Sequence, residues 1–215
     1  MVRFIVRFCL LLVVLLVAGL VYALWPRTGD LRGFDADAVA RLETAMWRDY
    51  YAHDYKGLAV RLYELHREQY RFSPVDSAQL SLAAGKAAQL FQPTTSREDA
   101  QIALPQLIRY YTLLRDNSGE TFDPAQVAAS ELDWWQLRRE KVPPEQYSLV
   151  VARVTEELFG ITNPSIKKSA LQRARMMRYR DDRRNGGMQA DDWTHIESNL
   201  IESYRELKKG VARTP

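Results

Sequence analysis

Cysteine and histidine are scarce in this sequence, whose 215 residues include one cysteine and three histidines. A single cysteine excludes an intrachain disulfide, a four-cysteine zinc site and a haem-attachment motif. The sequence also lacks a Glu-x-x-His pair, which ferritin-type di-iron bundles use, and the Gly-x-Ser-x-Gly turn of serine hydrolases. We therefore expect no metal, no cofactor and no enzymatic activity.

Glycine and proline are also infrequent, and basic and acidic side chains are nearly balanced. Ten glycines and nine prolines are too few for a linker protein, and the hydrophobic (47%) and charged (27%) fractions are those of a globular protein. Without Arg3 and Arg7, 28 basic side chains stand against 27 acidic ones, so we expect no nucleic-acid partner. No convincing alternation of period two predicts a strand.

One long hydrophobic run is present near the N-terminus. It is uncharged from Phe8 to Trp25, about 18 residues, which is the shortest length that spans a bilayer as a helix. Because Arg3 and Arg7 lie in a short tail before it, we expect a cytoplasmic N-terminus and an extracytoplasmic or periplasmic domain. A cleaved signal peptide is the alternative. The predicted segments are a tail over 1–7, a membrane-spanning signal anchor over 8–25 and a linker over 26–33.

Helix start and stop signals recur beyond the anchor. Ser73-Pro74, Asp123-Pro124 and Asn163-Pro164 each place a capping side chain before a proline, which suits the first turn of a helix. Gly160 is expected to end a helix. The sequence predicts an all-α domain, a bundle of eight helices over 36–52, 54–72, 74–91, 96–116, 124–140, 144–159, 164–185 and 192–209.

Two stretches of the chain resemble each other. Phe, Asp, Val, Ala, Glu and Trp recur in the same order in 34–47 and 122–135, at an offset of 88 residues. Further on, Tyr111 corresponds to Tyr204 at an offset of 93, a drift that loop insertions would produce. An extended solenoid is the alternative to a closely packed pair. We predict two pseudo-symmetric four-helix repeats over 34–118 and 122–210, packed as one domain and followed by a tail over 211–215.

The repeated stretch places a glutamate on an apolar helix face. Glu43 and Trp47 lie one turn apart, as do Glu131 and Trp135, and Arg173 on another apolar stripe is a plausible partner for Glu131. A buried carboxylate must be hydrogen-bonded or paired, because an unpaired buried charge is costly. The favoured interpretation is a structural polar contact in each half. The alternative is two carboxylates facing each other across a pseudo-twofold axis, where they bind a cation or act as acid and base.

A basic cluster lies in the predicted helix over 164–185. A solvated helix face is the favoured interpretation, and contact with anionic lipid headgroups or with an acidic partner is the functional alternative. The candidate residues for an anionic partner are Lys167, Lys168, Arg175, Arg178, Arg180, Arg183 and Arg184.

These features favour a non-catalytic function. We expect a membrane-anchored accessory or scaffold subunit that docks a helical domain onto a larger membrane or envelope protein complex, with electron-transfer and photosynthetic complexes as possible hosts. Its expected partners are the lipid bilayer and one or more proteins. The alternative is a small-molecule or peptide binding module, with a groove between the repeats lined by Glu43, Trp47, Glu131 and Trp135.

Overall fold

Helices account for the regular secondary structure of the computed structural model, which describes residues 2–25, 27–183 and 186–213. No strand occurs in these three ranges, and Gly29 and Ser118 form an isolated β-bridge. The helices are α1 Val2–Leu24, α2 Ala36–Tyr51, α3 Tyr55–Glu64 with a π-helical turn Leu65–Gln69, α4 Pro74–Phe91, α5 Arg97–Ala100 with a 3₁₀ turn Gln101–Ala103, α6 Leu104–Asp116, α7 Pro124–Arg139, α8 Pro144–Phe159, α9 Pro164–Arg183 and α10 Ala190–Val211.

Side-chain caps set several of the helix boundaries, as the sequence predicts. Asp35 accepts a hydrogen bond from the backbone N–H of Ala38 at 2.8 Å, and Ser73 and Asp123 cap α4 and α7 in the same way. Gly160 ends α8 with a φ of +63°, in the left-handed region. The all-α prediction and most of its boundaries are therefore confirmed.

Three predicted helices differ from the structure. The continuous helix over 96–116 is wrong, because α5, the 3₁₀ turn and α6 replace it, with Pro105 in the first turn of α6. The helix over 54–72 ends earlier, at the π-helical turn. The last helix begins two residues earlier than predicted, since Gln189 caps it in a reciprocal capping box with Asp192.

The first helix is longer than the anchor predicted over 8–25, since it begins at Val2 and ends at Leu24. Its window Arg7–Leu24 has a mean hydropathy of 2.6 and no buried residue, so it is long and apolar enough to cross a membrane. Pro26, the first residue of the predicted linker, lies outside the described residues, as do Arg184 and Asn185 in the predicted helix over 164–185.

Eight helices form a closed ring. Each of α2, α3, α4, α6, α7, α8, α9 and α10 packs against the next, and α10 packs against α2. The largest cluster of buried apolar side chains contains Val39 and Leu80 from the first half and Val127 and Ile166 from the second. The apolar core is therefore continuous across both halves of the chain.

The linker after α1 is bound to the ring by hydrogen bonds and an ion pair. Gly29 donates a backbone hydrogen bond to Asn117 at 2.7 Å. Arg32 binds both carboxylate oxygens of Glu120, at 2.7 and 2.6 Å, and also donates to the carbonyl oxygens of Phe159 and Val211. These contacts bring the linker, the middle of the chain and the end of α10 together at one end of the ring.

Candidate functional site

Glu43 is a buried carboxylate with three hydrogen-bond donors. It lies on α2 with 3% of its surface exposed, because it shares the inward face with Val39. Trp47 Nε1 donates to Oε1 at 3.2 Å, Arg173 Nε donates to the same oxygen at 2.7 Å, and the Tyr204 hydroxyl donates to Oε2 at 2.7 Å. These donors offset the cost of burying the charge.

Glu131 has a similar but less charged environment on α7. Trp135 Nε1 donates to Oε1 at 2.9 Å, and the Tyr111 hydroxyl donates to Oε2 at 3.2 Å. Each glutamate thus accepts from a tryptophan one turn later and from a tyrosine of a neighbouring helix. At Glu131, however, no arginine, lysine or histidine of the described residues forms an ion pair.

The partner of Arg173 differs from the sequence-based expectation. The expected partner was Glu131, but Arg173 pairs with Glu43, because the ring closes with α10 against α2 and with α9 on the other side of α10. The guanidinium also lies over the ring of Trp134, 5.3 Å from its centroid. Burial acts to lower the pKa of Arg173, but Glu43, Tyr204 and Glu131 together outweigh it and raise the pKa, so the side chain stays cationic.

The two tyrosines that bind the glutamates remain protonated. Burial, and then the adjacent carboxylate, raise the pKa of Tyr204 next to Glu43 and of Tyr111 next to Glu131 well above the usual value near 10. Both hydroxyls therefore act as hydrogen-bond donors at neutral pH.

Both glutamates line one cavity of about 300 Å³. Every helix of the ring except α8 contributes to its wall, and α4 contributes the small side chains of Ala84 and Ala88 there. The candidate residues Glu43, Trp47, Glu131, Trp135 and Arg173 therefore lie together around this space. The other lining residues are Met46, Tyr50, Tyr51, Leu58, Leu62, Leu65, Phe91, Leu107, Tyr110, Tyr111, Trp134, Arg138, Met177 and Tyr204.

The adjacent tryptophans of α7 both reach the cavity. Trp134 is 5% exposed, whereas Trp135 is half-buried. Trp135 packs against Phe91 with the ring centroids 5.1 Å apart. The buried Nε1 of Trp134 has no hydrogen-bond acceptor among the described residues.

A buried histidine lies behind the cavity wall. The π-helical turn places His66 so that Nδ1 lies 3.2 Å from the Ser81 hydroxyl and Nε2 lies 3.2 Å from the hydroxyl of Tyr110, a lining residue. Burial lowers the pKa of His66 from 6.5 to about 4. The imidazole is therefore neutral at pH 7, where it can donate one hydrogen bond and accept another.

Several side chains of the basic cluster predicted for an anionic partner have contacts within the chain. Arg180 is largely buried over the ring of Tyr51, and Arg178 donates to the carbonyl oxygen of Lys141 at 2.8 Å. Lys167 is exposed, and Arg184 lies outside the described residues. The remaining ion pairs are Lys168–Glu206, Arg175–Glu145 and Arg183–Asp192.

An open groove of about 490 Å³ lies between α9 and α10. Its charged lining consists of four basic and two acidic side chains, all of them on these two helices. They are Lys168, Arg175, Arg205, Lys209, Glu202 and Glu206. Within the described residues no group of three or more His, Cys, Asp or Glu side chains could hold a metal ion, in this groove or elsewhere.

Sequence analysis missed several side chains of the cavity. Tyr111 and Tyr204 donate to the two glutamates, and Arg138 reaches the cavity while paired with Asp181 at 2.8 Å. The signal for the tyrosines was available, because Tyr111 and Tyr204 correspond in the internal alignment. For Arg138 the sequence contains no comparable signal.

No protein-family model, curated protein or solved structure significantly matches the chain.

Proposed function

We propose that this protein is a membrane-anchored, non-catalytic module that binds a small organic molecule in the cavity between the two halves of its helical ring. The observation that supports this most directly is that Glu43 and Glu131 line the same cavity. Its size, its aromatic walls and its few polar groups are those of a small-molecule site. A subunit that only docks onto other proteins does not require such a space.

The anchor is part of this proposal. The α1 helix is long and apolar enough to span a bilayer, and Arg7 at its start favours a cytoplasmic N-terminus with the ring on the other side. Arg67 of the ring donates to the hydroxyl of Tyr22, near the end of α1, at 2.6 Å. The binding domain would therefore lie close to the membrane surface.

We also propose that the ring arose by duplication of a four-helix unit. Two independent features support this. The tyrosines that donate to the glutamates correspond at an offset of 93 residues. Arg32 and Glu120, which pair with each other, are separated by 88 residues, the offset of the repeated stretch. At this offset Arg32 and Glu120 are equivalent positions of the two repeats. A pseudo-twofold axis that passes between them would bring them into contact.

A second candidate function is a docking subunit of a membrane or envelope complex. The groove between α9 and α10 favours it, since a net basic, open surface of this size suits an acidic segment of another protein. The experiment described next distinguishes the binding module from the docking subunit.

The test is native mass spectrometry of the full-length protein, extracted in mild detergent from the membranes of the cells that make it. We expect a bound molecule that adds a discrete small mass. Replacement of Ala88 by Phe should fill the cavity and abolish this mass, whereas Leu82→Phe on the same helix should retain it, because Leu82 is 68% exposed and outside the lining.

Thermal unfolding of both variants checks that each is folded. A protein that carries no small molecule but retains a stoichiometric protein partner would contradict the binding function and favour the docking subunit. A small molecule that stays bound to the folded Ala88→Phe variant would show that the cavity is not its site.

A further inference from the structure

The charges that line the cavity are unequally compensated. Arg173 is paired with Glu43, and Arg138 is paired with Asp181 outside the lining. Glu131 accepts only from two neutral donors, and no cationic side chain of the described residues lies within 4.0 Å of its carboxylate. Among the described residues, Glu131 is therefore a carboxylate of the cavity without a direct ion pair, although its charge contributes to the raised pKa of Arg173.

The wall around this carboxylate is aromatic. Trp135, which donates to Glu131, packs against Phe91 at 5.1 Å and against Trp134 at 6.1 Å. Tyr110 and Tyr111 lie edge to face, with their centroids 5.0 Å apart. Aromatic faces attract cations through the ring quadrupole, and a set of such rings is the usual binding site for substituted ammonium groups.

A cation already occupies the corresponding position in the other half. There, the Arg173 guanidinium lies between the carboxylate of Glu43 and the ring of Trp134. The wall of the same cavity includes Ala84, Ala88 and Phe91 of α4, and no cationic side chain of the described residues lies within 4.0 Å of the Glu131 carboxylate. The chain thus supplies its own cation to Glu43, whereas Glu131 lines the cavity without a direct ion pair.

We propose that the cavity binds an organic cation, with its substituted ammonium group between the carboxylate of Glu131 and the rings of Trp135 and Phe91. This rests on the proposed small-molecule function and specifies the ligand class. A volume of about 300 Å³ admits a molecule the size of a substituted amine. A metal ion fits poorly, because one carboxylate among aromatic rings does not supply the several oxygen ligands that hard cations require.

The probe is choline, compared with 3,3-dimethyl-1-butanol, in which a neutral carbon replaces the charged nitrogen without a change of shape. Binding to the full-length protein in detergent is followed by isothermal titration calorimetry and by tryptophan fluorescence, since three tryptophans line the cavity. We expect choline to bind at least about tenfold more tightly than the alcohol, which corresponds to about 1.4 kcal/mol.

The variants are Glu131→Gln, which removes the charge but keeps an acceptor for Trp135, and Asp133→Asn as the matched control. Asp133 lies on the same helix and is outside the lining. Glu131→Gln should reduce choline binding about tenfold and leave binding of the alcohol unchanged, and Asp133→Asn should change neither.

The outcomes separate this inference from the proposed function. If choline and the alcohol bind equally tightly, the proposed preference for a cation is wrong, although the cavity still binds a small molecule. Unchanged choline binding to the Glu131→Gln variant would also contradict the preference for a cation. The same conclusion would follow if choline does not bind and the protein carries an uncharged molecule from the membrane. If neither probe binds and the protein carries no small molecule, the proposed function fails as well.

Discussion

The two glutamates of the cavity have different energetic roles, although the same residue types surround them. Glu43 neutralises an arginine, whereas Glu131 accepts from neutral groups. Breaking a buried ion pair leaves the other charge without compensation, which costs more than losing a neutral hydrogen bond. The difference can be measured with two isosteric substitutions.

We predict that Glu43→Gln lowers the free energy of unfolding by about 3 kcal/mol. This is the lower end for a buried pair, because a quarter of the Arg173 side chain remains exposed. Glu131→Gln should cost less than about 1.5 kcal/mol, since the amide oxygen still accepts a hydrogen bond. Urea unfolding of both variants measures the difference, and equal costs would contradict the assignment of Arg173 to Glu43.

His66 makes stability depend on pH. Its pKa is lowered from 6.5 to about 4 in the folded protein, so protonation favours the unfolded chain. The stabilisation is complete above pH 6.5 and is lost as the pH falls toward 4, by about 3 kcal/mol in total. Unfolding followed between these pH values should show this loss in the wild type, and a His66→Gln variant should lack this part of it. An identical pH dependence in both proteins would refute the prediction.

At the scale of the helices, two glycines should respond in opposite ways to alanine. Gly160 ends α8 with a φ of +63°, which a Cβ disfavours, so Gly160→Ala should destabilise the protein by about 1 kcal/mol. Gly85 lies inside α4, where a Cβ would meet Leu62 at an ordinary 3.7 Å. Gly85→Ala should therefore stabilise it by about 0.5–1 kcal/mol. Thermal unfolding provides the comparison, and a shift of the same sign in both variants would contradict it.

Features of this chain that depend on only a few neighbouring residues were the easiest to predict from the sequence. Ser73 and Asp123 were identified as caps because a cap needs only the next three residues. Pro105 divides the predicted helix over 96–116, and its ring was the signal that the helix begins again there. The π-helical turn at Leu65–Gln69 could not be predicted, because the periodicity of so few residues does not separate it from an α-helix.

At the scale of the whole molecule, the sequence indicated which residues are unusual but not how they meet. The spacing of Glu43 from Trp47 was sufficient to place them on one stripe. The partner of Arg173 depends on ring closure, which packs α10 against α2 and brings Arg173 of α9 to Glu43 across 130 residues. No local pattern contains that information, and for this reason Glu131 was the expected partner.

Ring closure also sets the order in which the polar contacts form during synthesis. Tyr111 precedes Glu131 by 20 residues, so this donor is already present when its carboxylate emerges from the ribosome. Glu43, by contrast, precedes Arg173 by 130 residues and Tyr204 by 161. At about 5–20 residues per second, its carboxylate waits roughly 6–30 s for these partners. The contacts of Glu43 therefore stay incomplete until the last helix has been translated.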